Sequence, residues 1–190
     1  MKYFFVFVIL ITFSGTQNAS AQTRRFKTYG GEIGYGNTFS ENTTYKMVLT
    51  MADFSWSFKK FPKKKDFVGW YVDPQFNLVK ATNTKGIDVE TGVNLGIRNY
   101  VMVNEHFLLY QMLGSGPHYY TADLDRQAPG FIFSDNLAIG SFINISDNLF
   151  LNLQFGIRHI SNANIELPNR GVNSFIFMAG LSGIKFAKRG

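Results

Sequence analysis

From Tyr29 onward, apolar and polar side chains alternate residue by residue, and turn-forming residues break the alternation at fairly regular intervals. A period of two marks a strand with two unlike faces. In one stretch Val48, Thr50, Ala52, Phe54, Trp56 and Phe58 share a face, against Asp53, Ser55 and Ser57. In the next, Trp70, Val72, Pro74, Phe76 and Leu78 oppose Tyr71, Asp73, Gln75 and Asn77; then Val89, Val93, Leu95 and Ile97 oppose Glu90, Asn94 and Arg98. Phe175, Phe177, Ala179 and Leu181 share one side of the last stretch. The pattern predicts eight strands, near residues 29–39, 46–58, 67–79, 88–101, 106–116, 131–145, 149–161 and 173–186.

Many of these exceed the roughly five or six residues of an ordinary strand and match the roughly 9–11 that cross a bilayer at a tilt. The less apolar face carries acids, arginines and amides together with Gly34, Gly36, Gly92, Gly96, Gly140, Gly156 and Gly180. Small residues and pairable charges suit a narrow, filled lumen, whereas a soluble lipocalin-like barrel inverts the pattern. The expectation is an all-β fold, an eight-stranded antiparallel transmembrane β-barrel with a filled polar lumen. Inward Glu32, Asp53, Asp73, Glu90, Arg98 and Arg158 are expected to pair there. An aromatic content of 20 Phe, 9 Tyr and 2 Trp fits girdles at the two membrane surfaces.

Lys2, an apolar run from Tyr3 to Phe13 and the small residues Ala19-Ser20-Ala21 read as a secretory signal peptide spanning residues 1–21. That leaves 22–190 as one barrel domain of an exported, outer-membrane protein. Cysteine is absent, so disulfides cannot support the fold. Loss of Lys2 takes the formal charge from +6 to +5. Such a balance suits anionic surfaces, and no nucleic-acid reading motif accompanies it. With both termini periplasmic, the breaks near Asn104 and at Ser146-Asp147-Asn148 become periplasmic turns. The stretches 40–45, 80–87, 116–130 and 162–172 then face outward. The basic run of Lys59, Lys60, Lys63, Lys64 and Lys65 reads as a solvated periplasmic turn, His106 as periplasmic and His118 as part of the third outer loop. No histidine spacing suits a metal, and no cofactor is expected.

The seventh strand breaks its own pattern. Leu149, Leu151, Leu153, Phe155 and Ile157 are followed at the same parity by His159 and Ser161. A base and a hydroxyl thus stand where lipid contacts are expected, and polar groups there cost several kcal/mol unless satisfied, so the pair reads as chemistry rather than packing. Treating Ser146-Asp147-Asn148 as a three-residue hairpin loop sets Ile145 opposite Leu149 and Asp135 directly across from His159.

The stretch Arg158-His159-Ile160-Ser161-Asn162-Ala163, with Pro168-Asn169-Arg170-Gly171-Val172-Asn173-Ser174, resembles the lipid A 3-O-deacylase family of outer-membrane barrels (PagL type). The resemblance implies a serine esterase acting on the lipid A of lipopolysaccharide, with Ser161 as nucleophile, His159 as base, and Asn162 and Asn169 at the oxyanion hole. It also implies a departure. Asn173 stands where type members of the family carry the glutamate that orients the histidine, and Asp135 is a second candidate for that task. A non-enzymatic barrel, structural or adhesive, is the alternative.

Overall fold

The computed structural model describes residues 25–60 and 66–187, without the side chains of Lys59 and Lys60. The predicted signal peptide and most of the basic run lie outside the described residues. Eight strands run in order: β1 (Phe26–Thr38), β2 (Tyr45–Lys60), β3 (Asp66–Ala81), β4 (Asp88–Asn104), β5 (Phe107–Tyr120), β6 (Gly130–Ser146), β7 (Leu149–Ser161) and β8 (Val172–Phe186). Each pairs antiparallel with its sequence neighbour, and β1 closes on β8 from Phe26↔Phe186 to Thr38↔Ser174. Closure removes every sheet edge, as a barrel in hydrocarbon requires.

The alternation settles which way each face points. Ile33, Phe54, Trp70, Phe76, Leu95, Ile139, Phe155 and Phe177 are exposed on the outer wall. Asp53, Asp73, Glu90, Arg98 and Arg158 are buried within. Glu90 accepts from Arg158, Tyr45, Asn77 (3.1 Å) and His118 (2.7 Å). Arg98 donates to both oxygens of Asp53, at 3.1 and 2.8 Å, and lies over the rings of Tyr71 and Tyr110. The polar layer is narrower than the sequence implies. One apolar cluster, including Tyr45, Met47, Tyr120, Ile160 and Val172, fills the lumen at one end, and a second around Phe26, Phe67, Tyr100 and Phe142 fills the other. Charges buried between these clusters are costly unless paired, and Glu90 with Arg158 and Asp53 with Arg98 meet that condition.

Two sequence expectations need correcting. β5 runs on to Tyr120, so His118 lies in a strand and faces Glu90 in the lumen, not in an outer loop. Gly116-Pro117 looks like a break, and pairing with β4 does lapse between Ser115 and His118, where proline has no N–H to give. Pairing with β6 continues unbroken and carries the strand through. Second, Ser146, not Ile145, faces Leu149, with a bulge between Asn144 and Ser146. A two-residue turn plus one bulged residue gives the same register as a three-residue loop, so Ile143↔Leu151 and Asp135↔His159 hold as expected. The long connections 39–44, 82–87, 121–129 and 162–171 gather at one end, which in such barrels is the outer one.

Candidate active site on the outer wall

The site is a row of polar side chains crossing the outer ends of four strands. Ser115 on β5 pairs with Asp135 on β6, Asp135 with His159 on β7, and His159 with Asn173 on β8. All four share the parity of the lipid-facing wall, and Ser161 stands next above His159 on that face. His159, Ser161 and Asn173 are half-buried, while Asp135 is exposed.

The contacts within the row are specific. His159 Nδ1 lies 2.8 Å from Asn173 Oδ1. An amide oxygen only accepts, so in this contact Nδ1–H is the donor. Asp135 accepts from the Ser115 hydroxyl at 2.5 Å, which steadies the carboxylate beside His159. Directly opposed residues bring their Cβ atoms to about 5 Å. The Ser161 hydroxyl forms no hydrogen bond with any described residue. Catalytic contacts often tighten only when substrate arrives.

Asn173 is itself anchored across the barrel's closing seam. Its N–H donates to Ser40 Oγ at 2.8 Å, and its carbonyl accepts from Thr38 Oγ1 at 2.8 Å and Phe39 N at 3.0 Å. Gly171 forms the wall behind the imidazole. A Cβ there would come within 2.5 Å of His159 Cε1 and 3.0 Å of Nε2, and the residue's φ is +67°. Only glycine accepts both conditions without strain.

Beyond Ser161 the chain turns sharply. Ile165 N donates to Asn162 O at 3.0 Å, with Ala163 and Asn164 both at positive φ. Asn162 N donates to Asn169 Oδ1 at 3.0 Å, Asn162 Nδ2 to Glu166 O at 2.7 Å, and Asn169 Nδ2 to Asn164 Oδ1 at 2.9 Å. The side chain of Asn162 is therefore buried as a brace of the loop, whereas Asn169 is half-exposed at its rim. Sequence reasoning brought out His159, Ser161, Asn162, Asn169, Asn173 and Asp135. It passed over Ser115, Ser40, Thr38 and the packing role of Gly171, of which only the glycine carried a signal, in the Pro-Asn-Arg-Gly run.

A family model described as lipid A 3-O-deacylase (PagL) matches residues 50–182, more than half of the chain. The chain belongs to that family. Among solved structures, this lipid A deacylase-family barrel is similar to the crystal structure of the outer membrane enzyme PagL. The TM-score is 0.61 at 13% identity, over 80% of this chain and 97% of that one. Neisserial surface protein A gives a TM-score of 0.60 at 10% identity, over 84% and 96%. The Yersinia pestis attachment invasion locus protein Ail, bound to the heparin analogue sucrose octasulfate, gives 0.51 at 10% identity, over 86% and 99%. Likeness at these identities shows a common outer-membrane barrel fold. No curated protein matches the sequence. Asn173 contacts the histidine through a neutral amide and brings no charge to it.

Proposed function

We propose that this barrel is a serine esterase that removes an ester-linked acyl chain, at the 3-O position, from lipid A. The observation that carries the reading is the imidazole on the lipid-facing wall. Its Nδ1 is held by Asn173, its Nε2 makes no hydrogen bond with a described residue, and Ser161 stands two residues on along the same face. A substrate embedded in the outer leaflet can meet such a site only from the side.

In the proposed reaction Ser161 Oγ attacks the ester carbonyl as His159 Nε2 takes its proton. The tetrahedral intermediate collapses, the sugar oxygen leaves with the proton returned by the imidazolium, and the acyl chain remains on Ser161. Water, deprotonated by the same nitrogen, then releases the fatty acid and restores the serine. Asn169 is assigned to the oxyanion. Asn162 N fixes the oxygen end of that amide and Asn164 Oδ1 takes one of its two N–H groups, which leaves the second for the oxyanion; one such donor contributes about 3–4 kcal/mol in a water-poor site. Asn173 positions the imidazole. Asp135 supplies, from the neighbouring strand, the negative charge that Asn173 lacks.

Mass spectrometry of lipid A from cells expressing the wild type and Ser161→Ala tests the reading. Loss of one 3-hydroxyacyl chain, present with the wild type and absent with the variant, is the expected result. Identical spectra would instead favour a structural or adhesive barrel.

A further inference from the structure

The β5–β6 connection folds onto the β7–β8 loop and carries a cation to the edge of the site. Arg170 N donates to Arg126 O at 2.7 Å and Ala128 N to Pro168 O at 2.8 Å, while Gln127 pairs with Asn169. Arg126 Nε donates to the Gly171 carbonyl at 3.3 Å, and Gly171 is the residue packed against the His159 ring. A single glycine thus separates the Arg126 guanidinium from the imidazole.

Neither arginine has an acidic partner among the described residues. Acids are not lacking in the surroundings: Asp123, Asp125 and Glu166 belong to the same two loops, and Asp125 accepts from Asn83 Nδ2 at 2.8 Å instead. The terminal amines of Arg126 and the whole guanidinium of exposed Arg170 keep their donors available. The backbone bond between Arg126 and Arg170 sets two arginines without an acidic partner side by side on neighbouring loops, an arrangement that attracts an anion.

We infer that Arg126 and Arg170 form a binding site for a phosphate on the headgroup of the acyl-ester substrate. The inference rests on the esterase reading above. A guanidinium presents a planar fork that matches two phosphate oxygens at once, and the pairing is directional as well as charged. The placement suits a phosphorylated sugar. With the ester carbonyl at Ser161, on the lipid-facing wall, the sugar lies at the loop level where both arginines stand. An ester and a phosphate on one sugar are then engaged together, so the headgroup fixes which ester reaches the nucleophile.

The test compares lipid A carrying its phosphates with the same lipid stripped of them by a phosphatase, both in mixed detergent micelles. The purified wild type is set beside Arg170→Gln and the Arg126→Gln/Arg170→Gln double variant. The readout is the ratio of the two kcat/KM values, because a loop disturbed by substitution lowers both alike. The wild type is expected to prefer the phosphorylated lipid by about tenfold or more. Arg170→Gln should reduce that preference, and the double variant should bring the ratio to within about twofold of unity. Equal cleavage of both lipids by the wild type, or a preference that survives in the double variant, overturns the assignment. Inhibition by inorganic phosphate without any preference between the lipids would mean that the site holds a free anion, and also overturns it. Absence of acyl release from either lipid is a separate result, which defeats the esterase reading and the headgroup assignment with it.

Discussion

Asn173 meets His159 through a neutral oxygen, so it can fix the imidazole's tautomer without offsetting the positive charge that forms on proton transfer. Asn173→Glu is therefore expected to raise kcat, and Asn173→Ala to lower it by about one to two orders of magnitude, with acyl release from micellar substrate as the measure. Asp135→Asn should slow the native protein more than it slows Asn173→Glu, because either acid serves the same imidazolium. Additive effects in that double-mutant cycle would mean that Asp135 acts elsewhere. Gly171→Ala should cost about 1–2 kcal/mol from its left-handed backbone. It should also reduce activity by pushing the ring, in a barrel that still migrates as folded.

Much at this scale is legible in the chain itself. His159 and Ser161 stand out because they interrupt an apolar parity, and Asp135 because a hairpin count places it opposite the histidine. Ser40 and Thr38 do not stand out. Their contact with Asn173 spans more than 130 residues and exists only because β1 closes on β8.

Among the elements, the β7–β8 loop matters most. Its shape comes from asparagines bonded to one another and from positive-φ residues at Ala163 and Asn164, braced by the β5–β6 connection. Asn169→Ala should lower kcat by about 10²–10³ with a smaller change in KM, as expected for a donor used chiefly in the transition state. Equal changes in both parameters would reduce Asn169 to a loop brace. Strand positions are legible from alternation to within three residues at each end. The exception, β5, was misjudged because Gly116-Pro117 is a turn signal locally and a tolerated gap once β6 supports the far side. The turn before β7 was read with the right register but the wrong anatomy, since an extra loop residue and a bulge are equivalent in the count.

For the whole molecule, a layer of paired charges lies between two apolar plugs, and each pair is costly to break on one side only. Arg158→Met alone should destabilise the barrel by about 3–5 kcal/mol, because it leaves the Glu90 carboxylate buried without its cation. Adding Glu90→Leu should recover part of that loss, as read from urea unfolding midpoints in lipid vesicles. The individual charges were predictable as inward-facing, but their partition into two clusters, Arg158 with Glu90 and Arg98 with Asp53, depends on the stagger of the closed sheet.

Because the polar row lies on the outside of the cylinder, the proposed reaction would be an encounter in two dimensions. Turnover should follow the mole fraction of substrate within the leaflet and not its amount per volume of medium. Blending inert lipid into the membrane should slow the reaction, whereas adding buffer to the same vesicles should leave it alone. The freed fatty acid and the shortened glycolipid would both depart sideways, so accumulating product would compete for the same patch of wall.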